Sequence, residues 1–270
     1  MVESGERFRP YRLMLAAQAR AQRSYRASFT VEVIGATVFT GLDLLTVLVI
    51  FRVTRTLGGF AFPSVFLMST TSGLSFAAAD LVVGNVEKLR LGIRTGQLDV
   101  LFIRPLGILR QLVATDFELR RIGRVIEGLV AVGIACALAH VAWSVPVALL
   151  LVLTVVSGTV FFGALFVAGA TVTFWWIDSG EFANGFTYGG RDFTTYPVNV
   201  YGTFFRRLFA FGLGFAAVAY YPVLTLLHLP DPLGLPTWTG WLSPVVAAVA
   251  AAAATAAWRA GVRHYRSTGS

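Results

Sequence analysis

Residues Asn85 to Arg124 read NVEKLRLGIRTGQLDVLFIRPLGILRQLVATDFELRRIGR. The stretch lies between an apolar run that ends at Val83 and another that starts near Ile122. It holds eight of the chain's 22 Lys+Arg residues. Basic loops between apolar spans stay on the cytoplasmic side of a membrane. Reading this stretch as such a loop makes the protein polytopic and sets its orientation.

The composition agrees. The chain has 270 residues, 56% hydrophobic and 13% charged, with a mean hydropathy of +0.71. A water-soluble domain carries about 25% charge. The net charge of +8 lies in loops between spans, which argues against a nucleic-acid partner, since that needs a basic face on a soluble fold. The single cysteine, Cys136, sits in an apolar run. One cysteine excludes an intrachain disulfide framework and a CxxC metal site.

A crossing helix needs roughly 20 apolar residues. Six runs qualify: Phe29–Phe51, Phe62–Val83, Ile122–Ala139, Val147–Phe174, Leu208–Leu227 and Trp241–Trp258. The expected fold is an all-α polytopic membrane protein, a single domain over 1–270, with both termini cytoplasmic. No cleavable leader is expected, because the first run is too long and lacks a cleavage pattern. With the N-terminus inside, six arginines precede the first span, eight basic residues fill the long loop, three lie in 178–207 and three in the tail. Only Arg52 and Arg55 fall outside. All six tryptophans are placed at span ends, where indole favours the headgroup level.

Ahead of the first span, along residues 10–26 and Arg9 just before them, Arg9, Arg12, Arg20, Arg23 and Arg26 fall on one helical face and Met14, Ala17, Ala21 and Tyr25 on the other. This pattern fits a helix lying in the interface, either as a topology signal or as an elbow joined to the first span.

Within the loop, Val86, Leu89, Ile93, Gly92 and Gly96 share one side of a short helix, and Glu87 is placed to pair with Arg90. Gly96 suits a helix end. Pro105 excludes αR geometry at Arg104, so a break is expected there. A second helix is expected over Ile108–Arg124. The apolar run Val100–Ile103, flanked by Leu98 and Leu106, has no place on a solvated connector. Membrane interface or a partner must cover it.

Several segments carry a resemblance: Gly96–Leu106 (GQLDVLFIRPL), Asp116–Arg124 (DFELRRIGR), Phe186–Gly190 (FTYGG), Tyr196–Tyr201 (YPVNVY), Tyr220–Val223 (YYPV) and Gly261–Ser270 (GVRHYRSTGS). In order and together, they resemble permeases of the export-type class of ABC transporters, in the bacterial subfamily of ABC-2 family transporter proteins. The resemblance implies a six-span permease half that pairs with an identical or related half and with two copies of a separate ATPase. It implies export of a hydrophobic or amphiphilic substrate across the bacterial plasma membrane by alternating access. It also implies a coupling helix at Glu87–Gly96, with Lys88, Arg90, Leu91 and Arg94 on it, and with Asp99, Arg104 and Pro105 setting its exit. One departure is visible. The family carries a proline in the fifth span where this chain reads Gly212-Leu213-Gly214-Phe215, so a kink there has no proline to make it.

The chain contains no G-x-x-x-x-G-K-[ST], so ATP and Mg are expected on the partner ATPase and no cofactor on this chain. Asp43 is the deepest intramembrane acid, which marks it as a candidate for the substrate path. Glu32, Asp80 and Glu127 lie nearer the cytoplasmic ends, within reach of Arg26, Lys88 or Arg124. Residues 178–207 form a second cytoplasmic segment, either an aromatic interfacial loop or a gate. The three histidines are isolated and no catalytic set is spaced for chemistry. The alternative class is a stand-alone ion-coupled transporter using Asp43, a reading that internal repeats would support; no convincing repeat is visible.

Overall fold

The computed structural model describes residues 35, 41, 45–103, 106–114 and 118–265. Asp43, Arg104, Pro105, Asp116, the expected interfacial helix and most of the first span lie outside these residues. Residues 45–53 are helical. The chain then forms α1 (Phe62–Val83), a 3-10 turn Gly84–Lys88, α2 (Leu89–Arg94), α3 (Gln97–Ile103), α4 (Ile108–Ala114), α5 (Leu119–Leu138) and α6 (Val145–Thr171). After these come α7 (Gly180–Thr195), a bent pair α8 (Thr203–Gly212) and α9 (Phe215–Leu226), a 3-10 stretch Thr237–Leu242 and α10 (Ser243–His264).

Proline starts three of these helices, at the first turn of α1, α6 and α10, where its missing N–H leaves no intrahelical bond unmade. Gly96, at φ +69°, ends the α2 turn as expected. The expected break near Arg104 is reflected in two separate helices, α3 stopping at Ile103 and α4 starting at Ile108.

Among the described residues, three helices are long and apolar enough to cross a membrane, or four if the bent pair counts as one. They include α6 and α10, and α1 with its extension to Arg94. The bundle is tightly packed where small residues meet. A Cβ on Gly158 of α6 would lie 2.5 Å from Ser75 Oγ of α1, and one on Gly128 of α5 would lie 3.2 Å from the Leu74 backbone. Phe162, Phe166 and Leu67 are fully buried between these helices.

The direction of each helix follows from paired contacts. The N-terminal part of α5 lies at the C-terminal end of α1, through Arg121 and Asp80, so the two are antiparallel. In α10, Val246 and Ala247 lie by Ser157 and Phe161 of α6, and Gly261 lies against Thr171 and Phe174. Both α6 and α10 therefore run the same way.

Two expectations change. The apolar run Leu208–Leu227 is not one helix: it bends by 65° between Gly212 and Phe215. Gly214 makes the bend at φ +86°, a conformation costly for any side chain, so glycine does the work that a proline would do. Ahead of it, Arg206–Gly212 winds as a π-helix, with Leu213 N–H donating to Leu208 O at 2.9 Å.

The second change concerns 178–207, which does not stay at one end of the bundle. Asp178 lies beside α2, Tyr188 packs on Phe76 and Phe166, and Thr194 hydrogen-bonds Ser72 at 2.5 Å. Asn199 Nδ2 then donates to Gly58 O at 2.6 Å, beyond the opposite end of α1. Glycine-rich α7 thus runs antiparallel to α1 and α6 along the bundle. From there α8 turns inward, and α9 brings Tyr220 back to Phe60 at that same far end, with ring centroids 6.0 Å apart. Trp258 is buried. Its ring packs against Phe174, the last residue of the fourth expected span, with centroids 5.4 Å apart, while α10 continues six residues to His264.

Candidate functional site

The α2 end of the bundle gathers the residues singled out in the long loop. Val86, Leu89 and Ile93 are buried and bed the segment against the core. Leu91 points away and is 59% exposed. Arg94 forms an ion pair with Asp178, and Arg90 lies 3.9 Å from the same carboxylate. The expected Glu87–Arg90 pair gives way to this arrangement. Arg90 turns toward the start of α7, packing where a side chain on Gly180 would sit, and Glu87 turns toward Tyr188 and a cavity. Lys88 reaches Glu118 at 3.6 Å.

Asp99 is not turned toward open solvent. Its Oδ1 accepts a hydrogen bond from Tyr265 Oη at 3.0 Å, and the Tyr265 ring stacks on Phe102 at 5.4 Å with 8° between planes. Partial burial and the Asp99 carboxylate push the Tyr265 hydroxyl's pKa up. The end of α10 therefore clamps α3. Leu98 is buried, while Val100, Ile103 and Leu106 are exposed, as Leu91 is. Gln111 of α4 ties the end of α3 to Leu106. This buried amide donates from Nε2 to Leu101 O at 2.9 Å and Leu106 O at 2.7 Å. Gln111 was legible only as a polar residue on the apolar side of α4.

Behind this face lies an ionic cluster. Asp80 Oδ2 is 2.7 Å from Arg124 Nη2, its Oδ1 is 3.6 Å from Arg121 Nε, and Arg121 Nη1 donates to Asp80 O at 2.8 Å. Glu118 joins through Arg121 at 3.4 Å and Arg120 at 2.6 Å. Desolvation raises the Glu118 pKa, but the Arg120 hydrogen bond and the charges of Arg121, Arg120 and Lys88 together outweigh it, holding the carboxyl below its usual range. The cluster forms one end of a cavity of about 860 Å³ between α1, α5 and α7. Arg191 of α7 also lines it, with its guanidinium 5.7 Å from the Phe76 ring centroid. Arg191 and Tyr188 carry no local signal for this role, because folding of α7 along α1 brings them there.

A helical bundle with apolar helices of crossing length, two-sided burial and a basic, partly apolar face at one end is a membrane protein of the transport type. The model of the ABC-2 family transporter proteins matches residues 37–269, and the chain belongs to that family. No curated protein and no solved structure matches it.

Proposed function

We propose that the chain is the permease half of an ATP-driven exporter in the bacterial plasma membrane, moving hydrophobic or amphiphilic cargo outward. The observation that carries this is the exposed face of α2 and α3 on a chain of this family. A family membrane domain implies an ABC ATPase as partner, and Leu91 on α2, Val100 and Ile103 on α3 and Leu106 after it are exposed apolar side chains for a partner to cover. The chain pairs with a second half, identical or related, and two ATPase copies dock through Glu87–Gly96. Their closure pushes on α2. The push passes to α7 through Asp178, and to α5 through Lys88–Glu118 and the Asp80–Arg121 pair. Both helices line the cavity, so its shape follows the ATPase.

The chain path supports six crossings: one ahead of α1, then α1, α5, α6, α7 and α10, with α2 inside. The bent pair α8–α9 dips from the outer face and returns. A full crossing by that pair would reverse α10, which runs parallel to α6. Arg206 and Arg207 then join Arg52 and Arg55 outside, and the inner side keeps seventeen of the basic residues.

The test is co-purification from native membranes. The tagged chain is expected to bring down an ATPase, and Leu91→Glu to lose it while the bundle stays folded. A chain that purifies alone and still transports down a proton gradient would falsify the proposal.

A further inference from the structure

The cavity between α1, α5 and α7 carries a chemistry of its own. At about 860 Å³ it falls in the 300–1,000 Å³ range of small-molecule sites. Its lining comes from α1, α5, α7 and the residues ahead of α1, Gly35 and Thr46. Its end nearest α2 is a collar of three guanidiniums, Arg120, Arg121 and Arg124, against the carboxylates of Asp80 and Glu87, and Arg191 and Asp192 of α7 lie farther along. The collar is net positive. Guanidinium forks match carboxylate and phosphate oxygens bidentately, whereas a cationic head entering the collar would meet three guanidiniums on its lining against two carboxylates.

Farther along α1 the lining changes. Gly73, Leu74, Phe76 and Ala77 replace the charged groups, and Ala131 faces them from α5. From Asp80 to Ser69, both on the lining, is about 16 Å of helix. Arg191 stands where the two zones meet, over the Phe76 ring. Ser69 and Thr70 of α1 and Thr195 and Tyr196 at the end of α7 also line the far end, so the cavity is basic at one end, apolar in its middle and hydroxyl-lined beyond, which fits a molecule with one anionic end and an apolar body.

We propose that this cavity binds an anionic amphiphile, a carboxylate or phosphate head on an apolar tail. The head contacts Arg124 and Arg191, and the tail lies against Gly73, Leu74 and Phe76. Treating the bound molecule as cargo rests on the permease reading; the binding does not.

The test uses the full chain in neutral-lipid nanodiscs with dodecyl phosphate as probe. Dodecyltrimethylammonium serves as the cationic control and inorganic phosphate as the head without a tail. A cysteine replaces Gly73, where an added Cβ has open space, in a Cys136→Ala background. Dodecyl phosphate is expected to slow alkylation of Gly73→Cys by a water-soluble maleimide several-fold and to raise Tm, as a ligand of the folded state does. Neither control should do either. Arg191→Gln should abolish both effects and Arg191→Lys should retain part of them. The Tm shift is read on the natural sequence as well, so it stands even if the new cysteine reacts poorly. Equal effects from dodecyltrimethylammonium, or undiminished effects in Arg191→Gln, overturn the proposal. ATP hydrolysis by the assembled complex separates the two readings. Retained ATPase partnership without probe binding removes only the cavity proposal. Probe binding without an ATPase partner removes the permease reading and leaves an anion site. Probe binding with hydrolysis unmoved by the probe overturns the cargo role.

Discussion

Removing the Asp80 carboxylate should destabilise the fold through Arg121 rather than through lost volume. The Asp80 side chain is 5% exposed and that of Arg121 is 8% exposed. Asp80→Ala leaves the guanidinium in place with two partners, Glu118 at 3.4 Å and the main-chain oxygen of residue 80 at 2.8 Å. Breaking a buried pair by deleting one partner costs about 3–5 kcal/mol. The surviving partners put this case at the low end, about 3 kcal/mol. At roughly 2–4 °C per kcal/mol for chains near this length, Tm should fall by roughly 6–12 °C. Thermal unfolding of the purified chain, followed by tryptophan fluorescence, reads this directly. Arg121→Ala should cost a similar amount, and the double variant should cost clearly less than the two together, since neither charge is then left unpaired. A loss below about 1 kcal/mol, the worth of an exposed pair, or strict additivity in the double variant, would refute the reasoning.

Two further outcomes follow from the site and the chain path. Because the folded Glu118 carboxyl is held below its usual pKa, its contribution to stability is present above the unfolded value and is lost as pH falls through the folded one. Glu118→Gln should therefore flatten the acid limb of the stability–pH curve while lowering stability at neutral pH, and an unchanged acid limb would contradict the pairing. Gly202 is exposed and leaves room for a side chain. Gly202→Cys, in the Cys136→Ala background, should react in intact cells with a maleimide that cannot cross the membrane; reaction only after permeabilisation would return 178–207 to the cytoplasm.

Much of the site could be read along the chain. Val86, Leu89 and Ile93 recur at helical spacing, Gly96 punctuates, and an apolar run beside Arg104-Pro105 is conspicuous in a basic loop. These are local signals, and the structure places them as their spacing implies. What the spacing could not give is which carboxylate each base meets. Arg90 has Glu87 three residues away, yet it turns to Asp178, 88 residues on, because the start of α7 packs against α2. Asp99 likewise meets Tyr265, 166 residues on, a partner that no local spacing marks.

The sequence by itself determined the class: an all-helical membrane protein of the ABC-2 family, with a basic loop carrying an apolar face. Hydropathy and charge bias are properties of consecutive residues, so they survive without coordinates. Only the tertiary structure decided the path after α6. Gly180–Thr195 is too polar for a hydropathy reading to mark as part of the bundle, and Leu208–Leu227 is apolar enough to pass for a span. Packing reverses both. The glycines and hydroxyls of α7 find partners such as Ser72 and Phe215, so its polarity is met inside the bundle. The apolar residues of α8 and α9 are folded back at Gly214, whose positive φ no hydropathy scale records.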